Sequence, residues 1–524
     1  MSKTGKINIL YVIIIISVWL FSSIYTFGKK ADLNGDNICY YLIASSMAEG
    51  HGYSAPWTGE YEKTSVFPPA YPMIMTPLRM ITDSIVAQKW MNELFVLASL
   101  LLLFVILLRL NLPPSMAFVA ALSGAALPRL LHFSTMMMSE SLFLLTSVLT
   151  LFCLMKLSEE NIGRFSELKS KWFYMMLLCL VLNYHVRTQG LALMAAVCLF
   201  FLMESRWSAL GTTVCGFVLG CIPWVVRNKV NGLTNTRYLD MVMMVSPWHP
   251  EAGSLSVTEF ILRFFDTAKM LIFGAIPNCI PPFVNAYLDA TSYDFWSFLA
   301  GITIVALIVM GCIRIGRLGW MVLGYFVATI GIISCFSTPS GSRYITSVLP
   351  FLSAMELIGL WWVITLVLNE KWKESVLPAL LLIPLLFTAI PDLKDQNQMA
   401  KAPYPQEYED FFEISAMLQK APANSMVCSR KPQMSHFYSG QPSCGFLYSS
   451  NAEDVVRKLV QNKVDYVILD GLGFPTTTMY LKPAIEKYQS LFHVLVTKEK
   501  TATVLYSFDR DKASELFNVS RSPQ

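Results

Sequence analysis

At 524 residues and 59.0 kDa the chain is long enough for three or four soluble domains at about 150 residues each, but its composition excludes that. Charged residues make up 15%, against about 25% in a soluble globular chain, while mean hydropathy is +0.49 and aromatics reach 13%. So much apolar surface implies a polytopic α-helical membrane protein, and a net charge of only +4 gives no case for a nucleic-acid partner.

A spanning helix needs about 20 mostly apolar residues. Taken in chain order, eleven runs meet or approach this: 8–27, 92–109, 114–131, 136–156, 172–185, 189–204, 208–226, 293–313, 318–336, 345–368 and 374–391. The first follows Lys3 and Lys6, as a secretory signal would. Its apolar stretch outruns a signal core of about 7–15 residues and no small-x-small cleavage site follows, so an uncleaved anchor is expected. The segment 267–290 is also apolar but is broken by Pro277, Pro281 and Pro282, and reads as a re-entrant or surface element, or a further span.

Cytoplasmic loops carry an excess of Lys and Arg. With the N-terminus inside, every inner connection is basic: Arg109, the Lys156–Lys171 segment, Arg206, Arg314 with Arg317, and Lys371 with Lys373. A long first loop (about 28–91), a loop of about 227–292 and the tail then lie outside. This divides the chain into a membrane domain, 1–391, and an extracytoplasmic domain, 392–524. The tail is charged throughout, with strand-like runs at Val464–Leu469 and Val494–Thr497 and helical stretches near 406–420 and 451–462. That alternation predicts a small α/β domain. Cys428 and Cys444 lie in it and could form a disulfide, which spacing alone does not decide.

The polar residues without a structural excuse collect on the outer side. Asp32 and Asp36 follow the first span directly, and Tyr40, Tyr41, Leu42, Ala44 and Met47 then recur at helical spacing. This predicts an amphipathic helix on the membrane surface, ended by Gly50, Gly52 and Pro56, with Asp36 placed to cap it. Glu140 falls inside the fourth span at its outer end, where a carboxylate is expensive and points to function. Arg187, Arg227 and Arg343 break the positive-inside pattern. One such Arg is usually an interfacial snorkeller. Three on the face that carries Asp36 favour a shared anionic ligand, and planar guanidinium groups match phosphate. A phosphate held at the lipid boundary beside a carboxylate fits transfer of a group from a lipid-phosphate carrier to a hydroxyl. No Gly-rich phosphate loop is present, and no His/Cys/Asp cluster has metal-ligand spacing.

Seven motifs in order carry a resemblance: Gly35-Asp36…Tyr40-Tyr41…Ala44, GHGY (50–53), FPPAYP (67–72), SESLF (139–143), RTQGL (187–191), PWVVRN (223–228) and SRY (342–344). Together they resemble the GT-C superfamily of polyprenyl-phosphate-dependent glycosyltransferases, in the branch of bacterial relatives of protein O-mannosyltransferases and lipid A aminoarabinose transferases. VCSRKPQMSHFYSG (427–440) resembles the extracytoplasmic end of such chains. The resemblance implies a multi-pass protein of the bacterial inner membrane. Its partners would be a polyprenyl-phosphate sugar donor, a glycan, lipid or protein acceptor, and membrane lipid, with no cofactor. It implies inverting transfer with Asp36 as base and Glu140 as the recurring Ser-Glu acid. Asn37 stands where many relatives have a second acid. Arg187, Arg227 and Arg343 would hold the donor phosphate, with Asp32, Tyr53 and Lys63 completing the substrate-binding set. Lys63 is displaced from the lysine that aminoarabinose transferases carry near the Pro-Pro pair. The alternatives are a secondary transporter, which calls for midplane charges and a two-fold repeat, and an O-antigen polymerase or ligase, whose large catalytic loop is expected later in the chain.

Overall fold

The computed structural model describes residues 3–160, 167–233, 241–281, 293–337, 341–367, 372, 374 and 376–518. Helices occupy all eleven expected spans. In chain order the helices of the membrane part are α1 (Lys3–Thr26), α2 (Gly35–Ala48), α3 (Ala70–Arg79), α4 (Ile85–Leu108), α5 (Pro114–Leu122), α6 (Pro128–Ser134), α7 (Glu140–Glu159) and α8 (Lys171–Val186). They continue with α9 (Gly190–Met203), α10 (Trp207–Val230), α11 (Val257–Lys269), α12 (Phe295–Ile315), α13 (Arg317–Ser334), α14 (Gly341–Ile345), α15 (Leu349–Thr365) and α16 (Val376–Lys401). Among the described residues seven helices are long and apolar enough to cross a membrane: α1, α4, α7, α10, α12, α13 and the one beginning at Val376. Their outer faces expose Phe21, Ile24, Leu219 and Phe387, surface that acyl chains would cover. The chain is a polytopic helical membrane protein.

The expected span at 114–131 is instead a pair bent by 61°. Pro128 explains the break: it lacks an N–H, and it forces Leu127 out of the helical region to φ −88, ψ 110. The second span starts earlier than its apolar run, at Ile85, and so carries Lys89 and Asn92 on its first turns. Helices α12 and α15 cross so closely that a Cβ on Gly311 would overlap the Met355 carbonyl, and one on Gly359 the Leu307 carbonyl. Small residues permit this approach, which supplies the packing that lipid cannot. The element expected over 267–290 continues from α11 as a π-helical turn, Met270–Ala275. Pro282 and the rest of that segment lie outside the described residues.

The segment between α1 and α4 differs from expectation. Helix α2 does not lie on a surface: residues 37–46 are all buried. It is covered by α3 and by a helix of the C-terminal domain, Pro432–Ser439, whose Phe437 ring meets Tyr41 at 5.8 Å. The cap is Asn34, whose side chain accepts the Asp36 N–H at 3.2 Å. Gly50 and Gly52 follow the helix with φ of +87 and +73, a conformation glycine adopts without a Cβ penalty. Beyond them β1 (Ser54–Ala55) and β2 (Glu62–Lys63) pair as a short antiparallel hairpin.

Helix α16 runs past residue 391 to Lys401. A five-stranded sheet follows, built from β3 (Met426–Cys428), β4 (Ser443–Cys444), β5 (Val464–Leu469), β6 (Phe492–Lys498) and β7 (Thr503–Phe508) in the order β4-β3-β5-β7-β6. The first three strands are parallel, and β7 joins β5 and β6 antiparallel. Cys428 and Cys444 are register partners across β3 and β4, both as free thiols. Phe411, Phe412, Met434 and Leu505 share one apolar core with Tyr40, Tyr41 and the membrane helices, which seats this domain against the segment between α1 and α4.

Candidate active site

Four charged side chains, drawn from positions 36 to 343, meet at one end of the helices. Asp36 is in the first turn of α2, where a carboxylate complements the helix N-terminus. Its Oδ2 accepts Arg343 Nη2 at 2.9 Å. Arg343 Nε donates to Glu140 Oε1 at 2.8 Å, and Arg187 Nη1 reaches the same oxygen at 2.8 Å. Burial opposes the charge on Arg343, but Glu140 and Asp36 outweigh it and hold the guanidinium firmly protonated.

The surrounding sequence explains this convergence. Glu140 is the first residue of α7. Asn92 of α4 fixes the turn before it by donating to the Met138 carbonyl at 3.0 Å and to Tyr71 Oη at 2.9 Å. Asn183 of α8 donates to the Phe143 carbonyl at 3.1 Å and Thr146 Oγ1 at 2.8 Å, which sets the end of α8, and Arg187 just after it, beside Glu140. Arg187 also donates to Ser139 Oγ and to Gln189 Oε1, each at 3.1 Å, and lies 5.6 Å from the Tyr344 ring. Tyr40 Oη pairs with Ser139 Oγ at 3.3 Å.

Two carboxylates and two guanidinium groups balance in charge, but they are not equally reachable. The Glu140 side chain is 2% exposed, whereas that of Asp36 is 36% exposed. Asp36 is therefore the acid a substrate can approach, and Glu140 anchors the two arginines. Glu140 Oε2 is buried with no hydrogen-bond partner, an uncompensated acceptor inside the cluster.

The remaining candidates sit elsewhere. Arg227, near the end of α10, donates to the carbonyls of Thr64 and Tyr53, each at 2.6 Å, and stacks over Trp224 at 4.7 Å. Tyr53 Oη donates to the Phe67 carbonyl at 3.0 Å, and Lys63 Nζ to the His51 carbonyl at 2.8 Å. These three brace the loop between α2 and α3, which touches the cluster through Phe67 and Tyr40, 4.4 Å apart. Asp32 pairs with Lys89 at 3.1 Å. Lys89, which sequence reasoning missed, also donates to the carbonyls of Gly28 at 3.0 Å and Lys30 at 2.6 Å, and so pins the irregular segment leading to Asp36. The one signal was a lysine just before an apolar run.

An apolar groove of about 390 Å³ lies between α1, the end of α5 and α16, lined by Val18, Phe21, Leu385 and Leu386 among others. It shares no lining residue with the charged cluster. Among the described residues no group of three or more His, Cys, Asp or Glu side chains could hold a metal ion.

Solved structures of the same shape exist. ArnT from Cupriavidus metallidurans in the apo state superposes with a TM-score of 0.60 at 12% identity, over 97% of this chain and 98% of that one. The same protein bound to undecaprenyl phosphate gives 0.59 at 14% identity, over 100% of both chains. The Archaeoglobus fulgidus oligosaccharyltransferase tethered to an acceptor peptide gives 0.56 at 11% identity, over 94% of this chain and 74% of that one. The chain has the GT-C fold. No family model and no curated protein matches the sequence.

Proposed function

We propose that this protein is an inverting glycosyltransferase that moves a sugar from a polyprenyl-phosphate-sugar donor to a hydroxyl acceptor on the outer face of a bacterial inner membrane. The observation that carries the reading is the Asp36–Arg343–Glu140–Arg187 cluster, assembled at the ends of the membrane helices. The fold adds to it, since one GT-C neighbour was solved with undecaprenyl phosphate and another with an acceptor peptide. A transporter would keep its charges near the bilayer midplane. Here Glu140 opens α7, Arg187 follows α8, and Arg343 lies in the short helix before α15.

In this mechanism the acceptor oxygen attacks the anomeric carbon from the face opposite the phosphate. The new C–O bond forms as the bond to the phosphate oxygen breaks, and that electron pair leaves with the polyprenyl phosphate. Asp36 takes the hydroxyl proton. Arg343 and Arg187 face the charge that grows on the leaving phosphate, in a site where water screens it poorly. Phosphate is already a good leaving group, so placement and charge stabilisation carry most of the acceleration. Arg227, Tyr53 and Lys63 brace the loop between α2 and α3 beside the cluster.

The test uses purified protein in proteoliposomes with a panel of synthetic polyprenyl-phosphate sugars. The reading expects release of polyprenyl phosphate with one of them and a product of inverted anomeric configuration. Retained configuration, or no release from any donor, contradicts it.

A further inference from the structure

The C-terminal domain grips the irregular segment that leads to Asp36. Lys431 Nζ donates to the Leu33 carbonyl at 2.7 Å, three residues before the carboxylate. Tyr404 Oη donates to the Ala31 carbonyl at 2.7 Å, and the Lys30 ammonium donates back to the Ala402 carbonyl. From the membrane side, Lys89 holds the carbonyls of Gly28 and Lys30. The segment is thus gripped from both domains, and Lys431 is the grip nearest the acid.

The charges around Lys431 have a direction. Asp36 and the Cys39 thiol face it from α2, and Asp470 and Arg430 face it from its own domain. Cys39 is buried and held neutral, its thiol pushed well above the usual range. The Tyr408 and Phe474 rings lie 5.4 and 5.1 Å from the ammonium. Aromatic faces stabilise a cation but cannot take its hydrogen bonds. The Leu33 carbonyl is therefore the fixed acceptor for this charge.

We propose that Lys431 is a positioning residue of the transfer site: its ammonium fixes the Leu33 carbonyl and with it the Asp36 carboxylate, so that the soluble domain and the membrane domain form one catalytic unit. The proposal rests on Asp36 being the base. A misplacement of about 1 Å at a reacting group can cost about 10²-fold in rate, which makes such a grip consequential. Burial, with Arg430 alongside, lowers the Lys431 ammonium to about 8, so the grip weakens as pH rises through that value.

Full-length wild type, Lys431→Arg, Lys431→Met and Asp36→Asn are compared in proteoliposomes across pH 6–10. Lys431→Met is expected to lose about 10²-fold in kcat with donor KM little changed. Lys431→Arg should restore most of kcat and shift the alkaline limb upward from near pH 8, because guanidinium stays protonated. If Lys431→Met does not fold, the limb of wild type against Lys431→Arg decides. An inert Asp36→Asn together with wild-type kcat in Lys431→Met, or an alkaline limb identical in wild type and Lys431→Arg, overturns the proposal and leaves the transferase reading standing. An active Asp36→Asn overturns the reading itself.

Discussion

Arg343 donates one bond to Asp36 at 2.9 Å and another to Glu140 at 2.8 Å, so a single guanidinium joins the half-buried carboxylate of the first loop to the fully buried one that opens α7. Its planar fork can hold two carboxylates at once, which a lysine ammonium does with far less directional control. The pairing links the two acids through one cation.

Arg343→Ala should therefore weaken the donor more than the acceptor. A charge-assisted hydrogen bond contributes about 1.5–3 kcal/mol, which is about 10-fold or more in donor KM. Arg343→Lys keeps the charge and loses the fork, and should fall between. Steady-state kinetics with donor and acceptor varied separately will check this; an unchanged donor KM in Arg343→Ala removes the phosphate contact.

Glu140→Gln tests the anchor. The substitution is nearly isosteric, but it leaves Arg187 and Arg343 facing a neutral amide in a buried site. Breaking one side of a buried ion pair costs about 3–5 kcal/mol. Thermal unfolding in detergent should show a clear drop in Tm, with transfer lost as well. Wild-type Tm would mean that the arginines are held by other groups.

Orientation gives a prediction that needs no substrate. Single cysteines placed at exposed positions of the C-terminal domain, such as Lys500 or Lys512, should react with a membrane-impermeant maleimide on intact cells. Labelling only after lysis would put the domain on the cytoplasmic side and remove the outer-face mechanism.

Much of this site was legible because a bilayer makes charge conspicuous. Glu140, Arg187 and Arg343 were singled out by the cost of an ionisable group at the edge of an apolar run, and the structure brings all three together with Asp36. The same criterion picked out Arg227, which spends its hydrogen bonds on the Thr64 and Tyr53 carbonyls. Sequence marks an interfacial arginine as needing acceptors, but backbone carbonyls leave no trace in the choice of residues. Lys431 lies within the stretch 427–440 that carries the resemblance but drew no role of its own for that reason: lysine is ordinary in a polar segment, and its acceptor is the Leu33 carbonyl. The burial of α2 was hidden as well. The helix that covers it, Pro432–Ser439, lies in the other domain, and its periodicity alone gave no sign of that cover.

The central claim is that the Asp36 carboxylate accepts the acceptor's proton. The most direct measurement is single-turnover transfer by Asp36→Asn under saturating donor and acceptor, with donor binding measured in parallel. The account predicts donor binding close to wild type and a transfer rate lower by about 10²–10⁴-fold, the range expected for loss of a general base. Near-normal transfer by the correctly folded variant would contradict it.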